Sequence, residues 1–168
     1  SNLSSNFGNR FQNIDIAISY LESYSVKVKK KSSFYETPSY PNKNDPMFVN
    51  VVIEVSTNLS PIDLASVVIF IEEKLERKRG KKNEPRTCDI DIIDYNGEII
   101  DFKYKEMDFT VPHTKLISRN FVLYPLQEIL PKWEHPKTKE TINTLIQKLP
   151  GEDVKSILKV KKNWYSYK

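Results

Sequence analysis

The sequence predicts an α+β sandwich with an antiparallel or mixed sheet, and three observations carry that expectation. Apolar residues recur at helical spacing in two stretches: Phe11, Ile14, Ile18 and Leu21, then Leu64, Val67, Val68, Ile71 and Leu75. Between them lies a run with strand periodicity, with Val49, Val51, Ile53 and Val55 on one face and Phe48, Asn50, Val52 and Glu54 on the other. Further on, Asn96-Gly97 is a two-residue hairpin signal between residues 87–95 and 98–102. The order helix, strand, strand, helix, strand, strand, helix builds layers of helices on a sheet.

Each element has a local reason. The first stripe predicts a helix over residues 9–23. Residues 26–37 are β-prone and end at Pro38. Pro41, Asn42, Asn44, Asp45 and Pro46 oppose both helix and strand, so residues 39–47 form a loop leading into a strand over 48–55. Ser60 is placed to cap a helix with Pro61 at its first position and Asp63 in its first turn, running to about Arg77. Residues 78–84 are basic and aperiodic, a loop. Residues 121–130 form a short helix stopped by Pro131, and residues 141–149 another. From Lys132 onward the pattern is weak.

The chain has 168 residues, 39% hydrophobic and 29% charged, with a formal net charge of +4, enough for one core and mildly attractive to anions. No apolar run approaches the roughly 20 residues of a membrane span. Cys88, the one cysteine, excludes an internal disulfide and fits a reducing, cytoplasmic setting. The 4 glycines form neither a Walker loop nor a GxGxxG turn, so a bound phosphate would be held by cations and metal rather than a glycine-rich backbone cradle.

The chemistry concentrates at EPRTCDIDIIDY, residues 84–95. Residues two apart on a strand share a face, so Asp89 and Asp91 stand side by side roughly 7 Å apart, with Cys88, Ile90 and Ile92 toward the core. Close carboxylates repel unless cations compensate. The pair reads either as magnesium ligands or as exposed acids on an edge strand. Arg77, Lys78, Arg79, Lys81, Lys82 and Arg86 precede them, suiting a triphosphate, a solvated helix end or a nucleic-acid surface. Phe48 and Asn50 share a strand face and offer a flat heterocycle an aromatic ring and an amide, although Phe48 alone fits a core position as well. His113 and Arg119 are each ambiguous singly, and His135 lies in a Pro-flanked polar loop.

SNLSSNFGNR, SSFYETPSY, DPMFVNVVIEVSTNLSP, RKRG, EPRTCDIDIIDYNGEIID and FTVPHTKLISRNFVLYPLQEILPKW occur in this order over residues 1–133. Together they resemble the 6-hydroxymethyl-7,8-dihydropterin pyrophosphokinase family. The resemblance implies a ferredoxin-like α/β/α sandwich with a mostly antiparallel central sheet. It also implies transfer of pyrophosphate from the co-substrate ATP to the hydroxymethyl group of the pterin, releasing AMP, in folate biosynthesis. By the family's correspondence Asp89 and Asp91 hold two Mg2+ ions, and Arg79 and Arg86 act on the triphosphate as catalytic residues. Glu72, His113 and Arg119 belong to the ATP side. Thr37, Pro38, Tyr40, Phe48, Asn50 and Phe121 belong to the pterin, with Phe48 and Phe121 sandwiching the ring. Residues 39–47 and 78–84 correspond to loops that close over the substrates.

Three departures accompany it. The sequence begins at Ser1 within the GSNL motif, which a strand precedes in the family; Asn83 stands near a family tryptophan; Asp108 replaces an arginine carried by some members. Residues 1–133 are then the pyrophosphokinase domain, and residues 134–168 a terminal helix and extension or a linker to a fused dihydropteroate synthase. The expected protein is a monomeric domain with no nucleic-acid or membrane partner. The alternatives are a nucleic-acid-binding α+β module and an inactive interaction domain of a folate-pathway fusion.

Overall fold

The computed structural model describes residues 1–39, 44–77 and 86–160. Helix α1 (Arg10–Ser23) begins where Asn9 accepts from the Phe11 and Gln12 N–H groups while Gln12 reaches back to the Asn9 N–H. That reciprocal cap satisfies donors a helix start leaves orphaned. The β-prone stretch that follows divides into β1 (Lys27–Lys31) and β2 (Tyr35–Thr37).

The single strand expected over residues 48–55 is two, β3 (Phe48–Asn50) and β4 (Ile53–Ser56). The cause is distant in sequence: Ser32 bonds Val52 through its hydroxyl and its backbone N–H, diverting the chain between two partners. Strand β3 pairs antiparallel with β2, and β4 antiparallel with β1. Helix α2 (Pro61–Lys74) starts at the expected Ser60 cap and stops earlier than expected, with Leu75 as its C-cap. Glu76 then turns into the left-handed region at φ 63.

Residues 87–95 depart from expectation. They keep the alternation of buried Cys88, exposed Asp89, half-buried Ile90 and exposed Asp91, but among the described residues they form no ladder with a neighbouring strand. Their backbone groups are engaged elsewhere: Ile90 donates to Glu72 at 2.8 Å, and Ile93 accepts from His113 at 3.1 Å. The Asn96-Gly97 turn forms, with φ 55 and 69, closed by Glu98 donating to Tyr95. The strand leaving it, β5 (Ile100–Tyr104), nevertheless pairs with β6 (Met107–Val111), across a second turn at Lys105 and Glu106, φ 46 and 59.

A short 3₁₀ turn (Leu116–Ser118) leads to α3 (Asn120–Ile129), then come α4 (Ile142–Gln147) capped by Thr141, α5 (Gly151–Ser156) and β7 (Leu158–Lys159). Among the described residues the sheets are β1-β4, β3-β2-β7 and β5-β6, with every pair antiparallel. The fold is thus α+β. Helices α1 and α2 bury Ala17, Leu21, Leu64, Val68 and Ile71 against Ile53, Val55, Ile90 and Ile92. On the other side Leu123, Leu126, Ile142 and Leu145 pack with Val52 and Ile93. The segment carrying the acids is therefore held from both sides. Among the described residues no helix is long and apolar enough to cross a membrane.

Candidate active site

Alternation turns Asp89 and Asp91 outward, and arginines meet them there. Arg77 Nη1 lies 2.6 Å from Asp89 Oδ1, Arg86 Nη1 2.6 Å from Asp89 Oδ2, and Arg119 Nη1 2.8 Å from Asp91 Oδ2. Two of these guanidinium groups also stand over aromatic rings, Arg86 over Phe48 at 5.8 Å and Arg119 over Phe121 at 5.4 Å. Each acid is thus linked through one arginine to one of the two aromatics that the sequence singled out. The pairs are half-exposed, so water screens them and their role is placement more than stability.

Buried groups fix this constellation from behind. Glu72, only 3% exposed, accepts the Ile90 N–H and pairs with Arg77, bridging α2 to the acid-bearing segment. Asn2 accepts the Arg86 N–H at 2.8 Å and donates to Ser39 and to the Pro46 carbonyl, tying Arg86 to the loop before β3. Asn13, fully buried on α1, donates to the carbonyls of Leu3 and Thr87. Cys88 faces inward, and burial pushes its thiol up to about 11.

A cavity of about 1290 Å³ runs inward between the two cores, past residues such as Ala17, Val55 and Leu126, and its lining includes most of the expected residues: Thr37, Pro38, Phe48, Asn50 and Phe121 together with Arg86, Asp89, Asp91 and Arg119. The Asn50 amide nitrogen donates to Thr37 Oγ1 at 3.1 Å, which fixes its orientation. A smaller cavity of about 180 Å³ lies between Ile90, Asp91 and Ile92 on one side and Phe109, Thr110 and His113 on the other. Asp91 borders both. Burial lowers the His113 pKa from its ordinary value, against the pull of the Asp91 carboxylate. Its Nδ1 accepts the Lys115 N–H, so the neutral ring carries its proton on Nε2.

Arg79 and Tyr40 lie outside the described residues, as do Lys78, Lys81, Lys82 and Asn83. Glu72 stands beneath the acids and lines neither cavity. His135 is buried, its Nδ1 accepting the N–H groups of Lys137 and Thr138. Sequence reasoning counted Arg77 in the basic run without giving it a role and passed over Asn2 and Asn13. A signal for Asn13 existed, since it is polar within an apolar helix face. Among the described residues no cluster of three or more His, Cys, Asp or Glu is arranged to hold a metal. The two carboxylates suit magnesium, which completes its shell with water and phosphate oxygens.

The family model for 7,8-dihydro-6-hydroxymethylpterin-pyrophosphokinase matches residues 2–131, which include every one of these site residues. The chain belongs to this family. A family relative, a folic acid synthesis protein of Dictyostelium discoideum, is 40% identical over 148 residues, covering 88% of this chain and 22% of that protein. The chain thus spans about a fifth of the length of the folic acid synthesis proteins it matches. Two relatives named 2-amino-4-hydroxy-6-hydroxymethyldihydropteridine pyrophosphokinase are closer to it in size. That of Aquifex aeolicus is 37% identical over 134 residues, 80% of this chain and 81% of the relative; that of Bacillus subtilis is 36% identical over 137 residues, 81% and 80%.

Proposed function

We propose that the chain is an ATP-dependent pyrophosphokinase that transfers pyrophosphate from ATP to 6-hydroxymethyl-7,8-dihydropterin in folate biosynthesis. The observation that carries this reading is the convergence of two acids, two arginines, two aromatics and an amide on one cavity. A bond forms between the hydroxymethyl oxygen and the β-phosphorus, and the bond from that phosphorus to the oxygen shared with the α-phosphorus breaks. AMP leaves with that oxygen, and the hydroxyl proton passes to solvent.

Asp89 and Asp91 fit the ligands of two magnesium ions, which when bound would neutralise the triphosphate and stabilise the attacking and leaving oxygens. Arg86, Arg119 and Arg79 hold the phosphates, and Arg86 and Arg119 exchange carboxylate oxygens for phosphate oxygens as the nucleotide arrives. His113, neutral, lies on the nucleotide side in the smaller cavity, and Glu72 serves that side through Arg77 and the Ile90 N–H. Phe48 and Phe121 sandwich the pterin. With its amide N–H engaged by Thr37, Asn50 offers the ring an acceptor. Thr37 and Pro38 line the same pocket.

The finer architecture in this proposal is a ferredoxin-like sandwich with one mostly antiparallel sheet. Support comes from Ser1, which exchanges two backbone hydrogen bonds with Val49, and from Asn2 and Leu3, which donate to Arg86. Residues 1–3 thus link β3 to the acid-bearing segment by backbone hydrogen bonds, as a shared sheet would. Residues 1–133 form the catalytic domain, and residues 134–168 a terminal extension or a linker to dihydropteroate synthase. We place the domain in the cytoplasm as a monomer.

Calorimetry with a non-hydrolysable ATP analogue tests the reading. Nucleotide binding that requires magnesium and then enables pterin binding supports it, as does AMP formed from ATP only with pterin present. Full turnover in Asp89→Ala or Asp91→Ala overturns the metal assignment. Salt-sensitive RNA binding without nucleotide binding overturns the whole reading in favour of a nucleic-acid module.

A further inference from the structure

The stretch after α4 reaches the large cavity by a route the motifs do not cover. Glu152, Asp153 and Ser156 of α5 line that cavity beside Phe121. Asn120, buried at the start of α3 between Arg119 and Phe121, pins α5 there: its amide nitrogen donates to the Asp153 carbonyl at 2.6 Å and to Ser156 Oγ at 3.1 Å. Its carbonyl oxygen separately accepts the Phe121 N–H at 2.7 Å. The other end of the stretch is pinned to a different wall. Strand β7 pairs with β2, whose far edge pairs with β3, the strand carrying Phe48 and Asn50. Val160 adds a bond to the Phe34 carbonyl. Residues 151–160 thus run from beside one aromatic wall to the sheet that holds the other.

We propose that residues 151–160 are a strap closing one side of the pterin slot, and that Asn120 is the positioning residue that holds it. This rests on the pterin reading of the cavity. The strap sets how far the Phe121 wall stands from the β2-β3 wall, and so limits the size of the heterocycle admitted. Fixing that spacing in advance spares the ligand the cost of ordering the walls itself.

Asn120→Asp removes the donor to the strap and keeps the acceptor for Phe121. Leu158→Pro, at a position 56% exposed, releases the far pin by disrupting the β2 pairing without touching the cavity. Amide hydrogen exchange, pterin binding followed by the pterin's own fluorescence, and steady-state kinetics are read on the full chain and both variants. The expected result is at least tenfold faster exchange over residues 152–160, a pterin KM at least tenfold higher, an ATP KM within twofold and kcat changing far less than the pterin KM. The double variant is no worse than the poorer single one, because both break one device. Asn120→Gln restores part of the loss.

Equal loss for both substrates, additive effects, or unchanged pterin affinity with a loosened strap each overturns the proposal. If the unmodified chain binds no pterin, the functional reading fails. The exchange data then still decide whether Asn120 holds the strap.

Discussion

Arg77 Nη1 stands 2.6 Å from Asp89 Oδ1, and the same guanidinium pairs with Glu72 beneath it. One cation therefore answers both a buried acid and a half-exposed one, and Glu72 in turn holds the Ile90 backbone.

Removing Glu72 leaves Arg77 with Asp89 alone and the Ile90 N–H without its acceptor. Glu72→Ala is expected to cost about 3–5 kcal/mol, the scale of breaking a buried ion pair from one side. Glu72→Gln keeps an acceptor for Ile90 and costs less. Urea denaturation of the two variants gives that ranking; equal losses would show that the Ile90 bond contributes nothing.

Asp94 is out of phase with the acid pair, so its replacement should spare the chemistry. The structure gives it other work: it accepts the Gly97 N–H at 3.1 Å and the Trp133 indole N–H at 2.9 Å. Asp94→Ala is expected to lose about 1–3 kcal/mol of stability, with a shifted Trp133 emission and turnover per folded molecule retained. A collapse of turnover with unchanged stability would contradict this.

His113 titrates below its ordinary 6.5 because burial disfavours the imidazolium. The unfolded chain then takes up the proton at higher pH than the folded one. Stability falls as pH drops from about 6.5 toward the folded value, and is fully present above that window. Urea midpoints between pH 7.5 and 5 should decline less steeply in His113→Gln. An identical slope would remove His113 from the account.

Gly8 sits at φ 144, and a Cβ there would overlap Gln12 Oε1, the atom that accepts the Asn9 N–H. Gly8→Ala therefore disturbs both the backbone and the α1 cap, at about 1–2 kcal/mol. Thermal melting together with faster amide exchange at Phe11 and Gln12 checks it.

Much of this arrangement is written locally. The stripes of α1 and α2, the Ser60 cap and the Asn96-Gly97 turn follow from neighbouring residues, and alternation alone turns Asp89 and Asp91 outward. What escaped depends on partners far along the chain. Ser32 splits the strand at Val52, Glu72 takes the Ile90 N–H, and neither is visible from within residues 48–55 or 87–95. The Lys105-Glu106 turn adopts left-handed φ values without the glycine that would have announced it. Residues 151–160 have no periodicity of their own, and their place comes from Asn120 and β2.

Asp91 borders both cavities, together with its neighbours Ile90 and Ile92, and it is the one charged side chain that the two linings share. A ligand that contacts the Asp91 carboxylate in one chamber is expected to change the charge that the other chamber presents. Thermodynamic linkage makes that influence mutual: a ligand in the small chamber changes affinity in the large one by the same factor as the reverse. Coupling of this kind requires no moving domain, and measuring nucleotide affinity with and without pterin reads its size.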